Sequence, residues 1–142
     1  MSVPRVAVLC TGNSCRSQMG EAILRARFGD RIDAVSAGTE PAARVHPLAL
    51  LALGEIGVPA GALVPKTVAA LGAVDLAITV CGDAADACPV LPGEMRRVHC
   101  GFDDPARAEG TDEEKLRVFR RVRDEIRERL PAIVEAFLAE RD

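Results

Sequence analysis

A chain of 142 residues with 49% hydrophobic and 27% charged residues has enough apolar content for a packed core and too little polar bias for disorder. A formal net charge of −3 without a long basic run argues against a nucleic-acid partner, and the opening apolar stretch is too short for a signal peptide or a membrane span. The expectation is one cytoplasmic domain over residues 1–142, in which five cysteines serve catalysis or metal binding rather than a disulfide framework.

The first strand is expected at Val6-Ala7-Val8-Leu9, an apolar run of the kind a parallel sheet buries on both faces. A helix follows from Ser17 to Phe28, with Met19, Ala22, Ile23 and Ala26 on one face and Gly29-Asp30 as its stop. Between them stands Cys10-Thr11-Gly12-Asn13-Ser14-Cys15-Arg16-Ser17. A loop that enters a helix N-terminus presents free backbone N–H groups and the positive end of the helix dipole, which suits a tetrahedral oxyanion. Gly12 and Asn13 tolerate the tight conformations of such a cradle. Arg16 can close it with a bidentate fork, and Ser17 brings a hydroxyl toward the Cys10 sulfur. A cysteine at a strand end is commonly a small buried hydrophobe. In this setting, beside a helix N-terminus and a guanidinium, Cys10 instead reads as a nucleophile.

A short second strand is expected over Ile32–Ser36, followed by the turn-rich Ala37-Gly38-Thr39-Glu40-Pro41. His46-Pro47 starts a second helix whose apolar residues are Leu48, Leu51, Leu53 and Ile56, with Gly57 as its stop. Glu21, taken alone, reads as a solvated residue favourable near a helix N-terminus. His46 lacks a sequence neighbour that would orient it as a general base, so a structural role is expected. Asp75–Val80 is a third strand ending at Cys81. Strand ends gather at one edge of a doubly wound sheet, so Cys81 is placed on the side of Cys10. If the segment from Cys81 to Cys88 were helical, the two Cα atoms would lie about 10 Å apart, whereas a disulfide needs roughly 4.4–6.8 Å. Pairing them requires unwinding, and Gly82, the polar composition and Pro89 suit a segment of low local stability. Zinc sites use closer cysteine pairs, and neither histidine supplies a supporting spacing.

The fourth strand is expected at Arg97-Val98-His99-Cys100. Asp104 is held extended by the proline that follows it, although Asp-Pro in a generic loop is mostly a turn former. Asp112–Leu138 is a long amphipathic helix with Leu116, Phe119, Val122, Ile126, Leu130, Ile133 and Phe137 in its stripe, which Pro131 should kink or divide. Short apolar strands alternating with helices imply an α/β domain: a four-stranded parallel sheet with helices on both faces.

Cys10-x5-Arg16-Ser17 after the first strand resembles the loop of the low-molecular-weight tyrosine phosphatases. The fuller Cys10-Thr-Gly-Asn-Ser-Cys15-Arg-Ser-Gln-Met19, together with Cys81-x6-Cys88-Pro89 and Phe102-Asp103-Asp104-Pro105, resembles the thioredoxin-coupled arsenate reductase branch of that superfamily. The resemblance implies reduction of arsenate to arsenite in arsenic detoxification. By that resemblance Cys10 is expected to be the nucleophile within an oxyanion loop of Thr11, Gly12, Asn13, Ser14, Cys15 and Arg16, and Asp104 the general acid. The resemblance also implies that Cys81 and Cys88 resolve through Cys10–Cys81 and Cys81–Cys88 disulfides, with thioredoxin as the reductant. It further implies a monomer without a tightly bound cofactor, with phosphate and sulfate competing for the loop. Cys15 is expected to support that loop or tune its charge, outside the electron relay, and Cys100, where relatives often have Trp, is expected to be structural or incidental. Relatives bind potassium at positions matching Asn13, Glu21 and Ser36. Their further ligands, a Thr and an Asp, have no counterpart between Gly57 and Val64, and Lys66 is the candidate to supply the positive charge instead.

Two other classes compete. A tyrosine phosphatase would use Cys10, Arg16, Ser17 and Asp104 and stop at a phosphocysteine, but no Trp or Tyr and four Phe leave little aromatic surface for a phosphotyrosine ring. Weak activity on small phosphate esters is expected. A non-enzymatic arsenite or metal sensor would use clustered thiols without needing Asp104 or the cradle.

Overall fold

The computed structural model describes residues 3–82 and 91–141. Four strands, β1 (Arg5–Cys10), β2 (Asp33–Gly38), β3 (Leu76–Thr79) and β4 (Arg96–His99), form one sheet in the order β2-β1-β3-β4. Every pairing is parallel. β1 is central because Val6 through Leu9 carry no polar side chain and are buried on both faces. Its register sets Leu9 beside Ala37 on one flank and Thr79 on the other, so the ends of β1, β2 and β3 reach one edge together.

Helices α1 (Arg16–Phe28), α2 (Pro47–Glu55) and α3 (Asp112–Arg141) enclose the main core on the face of Val6 and Val8. The opposite face, that of Ala7 and Leu9, is covered by Leu71, Val74, Leu91 and the single-turn helix Val68–Ala70. Gly20 lets α1 sit between β1 and α3, since a Cβ there would lie 3.0 Å from both Val8 and Leu130.

Three details differ from expectation. The first turns of α1 are buried on all sides from Arg16 to Leu24, because the helix starts beneath the loop it continues; Ala26, expected on the core face, is exposed. In α2 the core face consists of Ala49, Ala52 and Leu53, while Leu51 is 52% exposed and Ile56 lies just beyond the helix. Small residues let α2 approach α1 and α3 closely, and a count of large apolar residues misses that. Pro131 does not divide α3, which runs unbroken to Arg141. The missing N–H costs one helical hydrogen bond, and burial of Leu130, Pro131 and Val134 in the core offsets it.

Candidate active site

The loop between β1 and α1 is shaped by Asn13, the one non-glycine residue with positive φ among the described residues, at 47°. Asparagine enters this left-handed region more readily than most side chains. Its buried amide is saturated: Nδ2 donates to Ser17 Oγ (2.7 Å) and Ser36 Oγ (3.0 Å), and Oδ1 accepts from Gln18 Nε2 (3.0 Å) and the Lys66 backbone N (2.9 Å). Three loop carbonyls are tied off outward, Thr11 by Glu40 N (3.0 Å), Gly12 by Ala42 N (2.8 Å) and Ser14 by His46 N (3.0 Å). Engaging the carbonyls in this way suits a loop that turns its N–H groups to an anion. The Ser14 hydroxyl donates to the Arg44 carbonyl at 3.2 Å. Gly38 at the end of β2 lies directly beneath: a Cβ there would overlap the Thr11 carbonyl oxygen and sit 2.8 Å from that of Cys10.

Cys10, at the end of β1, is buried and free, with its Sγ 2.8 Å from Ser17 Oγ. Since Ser17 Oγ accepts from Asn13, its own proton is available to the sulfur. Arg16 is buried; one guanidinium nitrogen donates to the Phe102 carbonyl (3.2 Å) and the other lies 3.7 Å from Asp104 Oδ2. Asp104 caps the turn Pro105–Arg107 through Ala106 N (3.0 Å). It faces Arg16, whereas Asp103 pairs with Arg121 at 3.0 Å.

The other cysteines differ in character. Burial, reinforced by the nearby Asp104 carboxylate, pushes the Cys15 thiol up to about 12, so it stays protonated at neutral pH beneath the loop. Burial also raises the Cys100 thiol above its ordinary value. Cys81 is buried immediately after β3, where Val80 N donates to the Leu9 carbonyl (2.9 Å). The register of Leu9 with Thr79 brings Val80 alongside Cys10, so Cys81 follows one residue beyond at the same sheet edge, and it is disulfide-bonded. Cys88 lies outside the described residues.

Asn13, Glu21 and Ser36 do converge, but Glu21 is not the solvated residue its position suggested: it is 1% exposed. Its Oε1 accepts from the Ser36 hydroxyl (2.8 Å) and faces Lys66 Nζ (3.4 Å), while Oε2 pairs with Arg25 (3.0 Å). Gln18 Oε1 is the one buried side-chain polar atom without a partner among the described residues. A single orphan oxygen is too few for a cation shell, and the oxygens of the expected trio are already engaged. These residues do not fit a bound potassium ion; Lys66 brings the positive charge. Among the described residues no cluster of three or more His, Cys, Asp or Glu side chains is arranged for a metal, and no helix is long and apolar enough to cross a membrane.

His46 caps α2, its Nδ1 accepting from Leu48 N (3.1 Å), and its ring lies 4.7 Å from that of Phe119. Burial lowers its pKa, so the imidazole is held in the neutral form the cap requires. Gly38, Gln18, the Phe102 carbonyl and the Lys66 backbone are parts of the site that sequence reasoning missed. Of these, Gly38 carried a signal as a glycine directly after a strand, and Gln18 and Phe102 lie inside the motifs of the resemblance without a role being assigned to them.

Residues 5–142 match the family described as low molecular weight phosphotyrosine protein phosphatase. The chain is 53% identical over 129 residues to an arsenate reductase of Halalkalibacterium halodurans, a match that covers 89% of this chain and 92% of that one. Among solved structures it is similar to an arsenate reductase of Archaeoglobus fulgidus, with 35% identity and a TM-score of 0.75 over 92% of this chain and 98% of that one. It is also similar to a thioredoxin-dependent arsenate reductase of Corynebacterium glutamicum, with 29% identity and a TM-score of 0.67 over 94% of this chain, which spans 63% of that protein's length.

Proposed function

The chain belongs to the low molecular weight phosphotyrosine protein phosphatase family, on its arsenate reductase branch, and on that premise we propose that it reduces arsenate to arsenite by a relay of three cysteines, with thioredoxin returning it to the dithiol state. Arsenate enters the loop and is held by its N–H groups and the Arg16 fork. The Cys10 thiolate, supported by the Ser17 hydroxyl, bonds to arsenic as an arsenic–oxygen bond breaks, and Asp104 gives the departing hydroxide the proton that makes it water. The Cys81 thiolate then attacks Cys10 Sγ. A sulfur–sulfur bond forms, and the sulfur–arsenic bond breaks with its electron pair left on arsenic, which departs as arsenite. Cys88 attacks Cys81 and releases the Cys10 thiolate, and the thioredoxin dithiol reduces the Cys81–Cys88 disulfide by the same exchange.

The observation that carries this reading is a disulfide-bonded Cys81 on the sheet edge that also holds Cys10. A phosphatase uses Cys10, Arg16, Ser17 and Asp104 but has no role for such a cysteine. Since the relay residues belong to one chain, a monomer is sufficient, and phosphate and sulfate compete with arsenate for the cradle.

The test is NADPH consumption with arsenate, thioredoxin and thioredoxin reductase, comparing the unaltered chain with Cys88→Ser. Sustained turnover that falls in the variant to one event per molecule is expected. No arsenate turnover, with equal hydrolysis of an aryl phosphate by both proteins, overturns the reading in favour of a phosphatase; tight stoichiometric arsenite binding without turnover overturns it in favour of a sensor.

A further inference from the structure

The chain leaving Cys81 and the loop carrying Asp104 cross with no side chain between them. A Cβ on Gly82 would overlap the Phe102 carbonyl oxygen and lie 2.7 Å from its carbon. A Cβ on Gly101 would lie 2.9 Å from the Cys81 carbonyl oxygen and 3.5 Å from the Gly82 Cα. Neither glycine is among those with positive φ, so close backbone approach, not a left-handed conformation, is what needs them.

What meets at this crossing bears on the chemistry. The Phe102 carbonyl beside Gly82 is the acceptor for Arg16 (3.2 Å), the Phe102 N–H donates to Val80 O (3.2 Å), and Asp104 stands two residues further on. The outer side of the same loop is held by α3. Arg129 lies 4.9 Å from the Phe102 ring centre and donates to the Gly101 carbonyl (3.3 Å), while Arg121 holds Asp103. With the outer side anchored to a long helix, the inner support is the backbone at Gly82.

We propose that Gly82 is a positioning residue for Arg16 and Asp104: its bare Cα seats the Phe102 carbonyl and ties the anion cradle and the acid loop to the segment that begins at Cys81. The inference rests on the three-cysteine relay for its meaning. Gly82 directly follows the disulfide-bonded Cys81, so the support for the group that captures the oxyanion and the group that protonates its departing oxygen is contiguous with the relay cysteine. A side chain at position 82 therefore impairs the first chemical step, in which the Cys81 sulfur takes no part.

The experiment compares the reduced full-length chain with Gly82→Ala, with circular dichroism to verify the fold. Sulfate affinity is measured by calorimetry, and the rate and pH profile of a single arsenate turnover by rapid quench. Gly82→Ala is expected to weaken sulfate by about tenfold, the effect of losing one well-aligned charge-assisted hydrogen bond. It is also expected to slow the first step by about tenfold or more and to change the shape of its pH profile. Unchanged sulfate affinity and first-step rate, with only thioredoxin-coupled turnover reduced, overturn the proposal. If the unaltered chain reduces no arsenate while Gly82→Ala still loses sulfate affinity, the relay fails and the positioning contact stands. Should Gly82→Ala not fold, the unaltered chain answers by NMR. The Phe102 and Asp103 amide signals and the Arg16 side-chain signal are expected to differ between the dithiothreitol-reduced and oxidised forms, and identical signals overturn the link.

Discussion

Replacing Lys66 with methionine tests whether a tethered ammonium stands where a bound cation would otherwise be needed. Glu21 is 1% exposed, with Oε1 between the Ser36 hydroxyl (2.8 Å) and Lys66 Nζ (3.4 Å) and Oε2 on Arg25 (3.0 Å). Removing one partner of a buried ion pair costs about 3–5 kcal/mol when the other charge is left uncompensated. Here Arg25 still pairs with Oε2 and the Ser36 hydroxyl still donates to Oε1, so the carboxylate keeps most of its compensation. The loss reduces to about 1–3 kcal/mol. At about 2–4 °C per kcal/mol for a chain of this size, Tm falls by roughly 2–12 °C. Thermal unfolding is recorded in potassium chloride and in tetramethylammonium chloride at equal ionic strength. Potassium should recover part of the loss in Lys66→Met, whereas the unaltered chain should unfold and turn over arsenate alike in both salts. An unchanged Tm in Lys66→Met, or strong potassium stimulation of the unaltered chain, refutes the reasoning.

Ser17→Ala removes the hydroxyl 2.8 Å from Cys10 Sγ. A hydrogen bond to a charged group is worth about 1.5–3 kcal/mol, so arsenate turnover and iodoacetamide alkylation of Cys10 should both slow roughly 10- to 100-fold; wild-type rates contradict the assignment. Gly38→Ala drives a Cβ into the Thr11 carbonyl and within 2.8 Å of the Cys10 carbonyl. That overpacking should lower stability by about 1–3 kcal/mol and abolish sulfate binding measured by calorimetry, and normal values for both count against the Gly38 support. His46 is held below its usual 6.5, chiefly by burial, so between its folded value and 6.5 the unfolded chain takes up more protons. The stability contributed by neutral His46 is therefore complete above 6.5 and is lost as pH falls through the folded value. Urea midpoints should drop between about pH 7.5 and about pH 5.5, and His46→Asn, which caps a helix without titrating, should flatten that drop. Equal slopes for the two proteins would remove His46 from the cause.

The parts of the site that were legible in the sequence are those whose geometry is local. Cys10 to Ser17 could be read as an anion loop because strand, turn and helix N-terminus are contiguous, whereas Asp104 was singled out by the resemblance of Phe102-Asp103-Asp104-Pro105, since the proline alone implies only an extended backbone. Lys66 and Glu21 could not be paired in that way. The stretch from Gly57 to Val64 has neither helical nor strand periodicity, so nothing in it says where the chain returns. In the structure it returns through backbone pairing: Gly38 N donates to the Lys66 carbonyl (2.9 Å), and Gly38 bridges Thr67 in parallel. That one contact at the end of β2 sets the Lys66 N–H on Asn13 (2.9 Å) and leaves its ammonium within 3.4 Å of Glu21. Glu21 consequently reads as a surface residue in its own helix and as a buried anion in the fold. The same logic separates the two faces of α2: Leu51 is apolar but points away, while Ala49 and Ala52 are buried because close helix packing selects small side chains. The anion loop is thus a local motif whose shape is completed by a main-chain contact from Lys66, more than fifty positions away in the sequence.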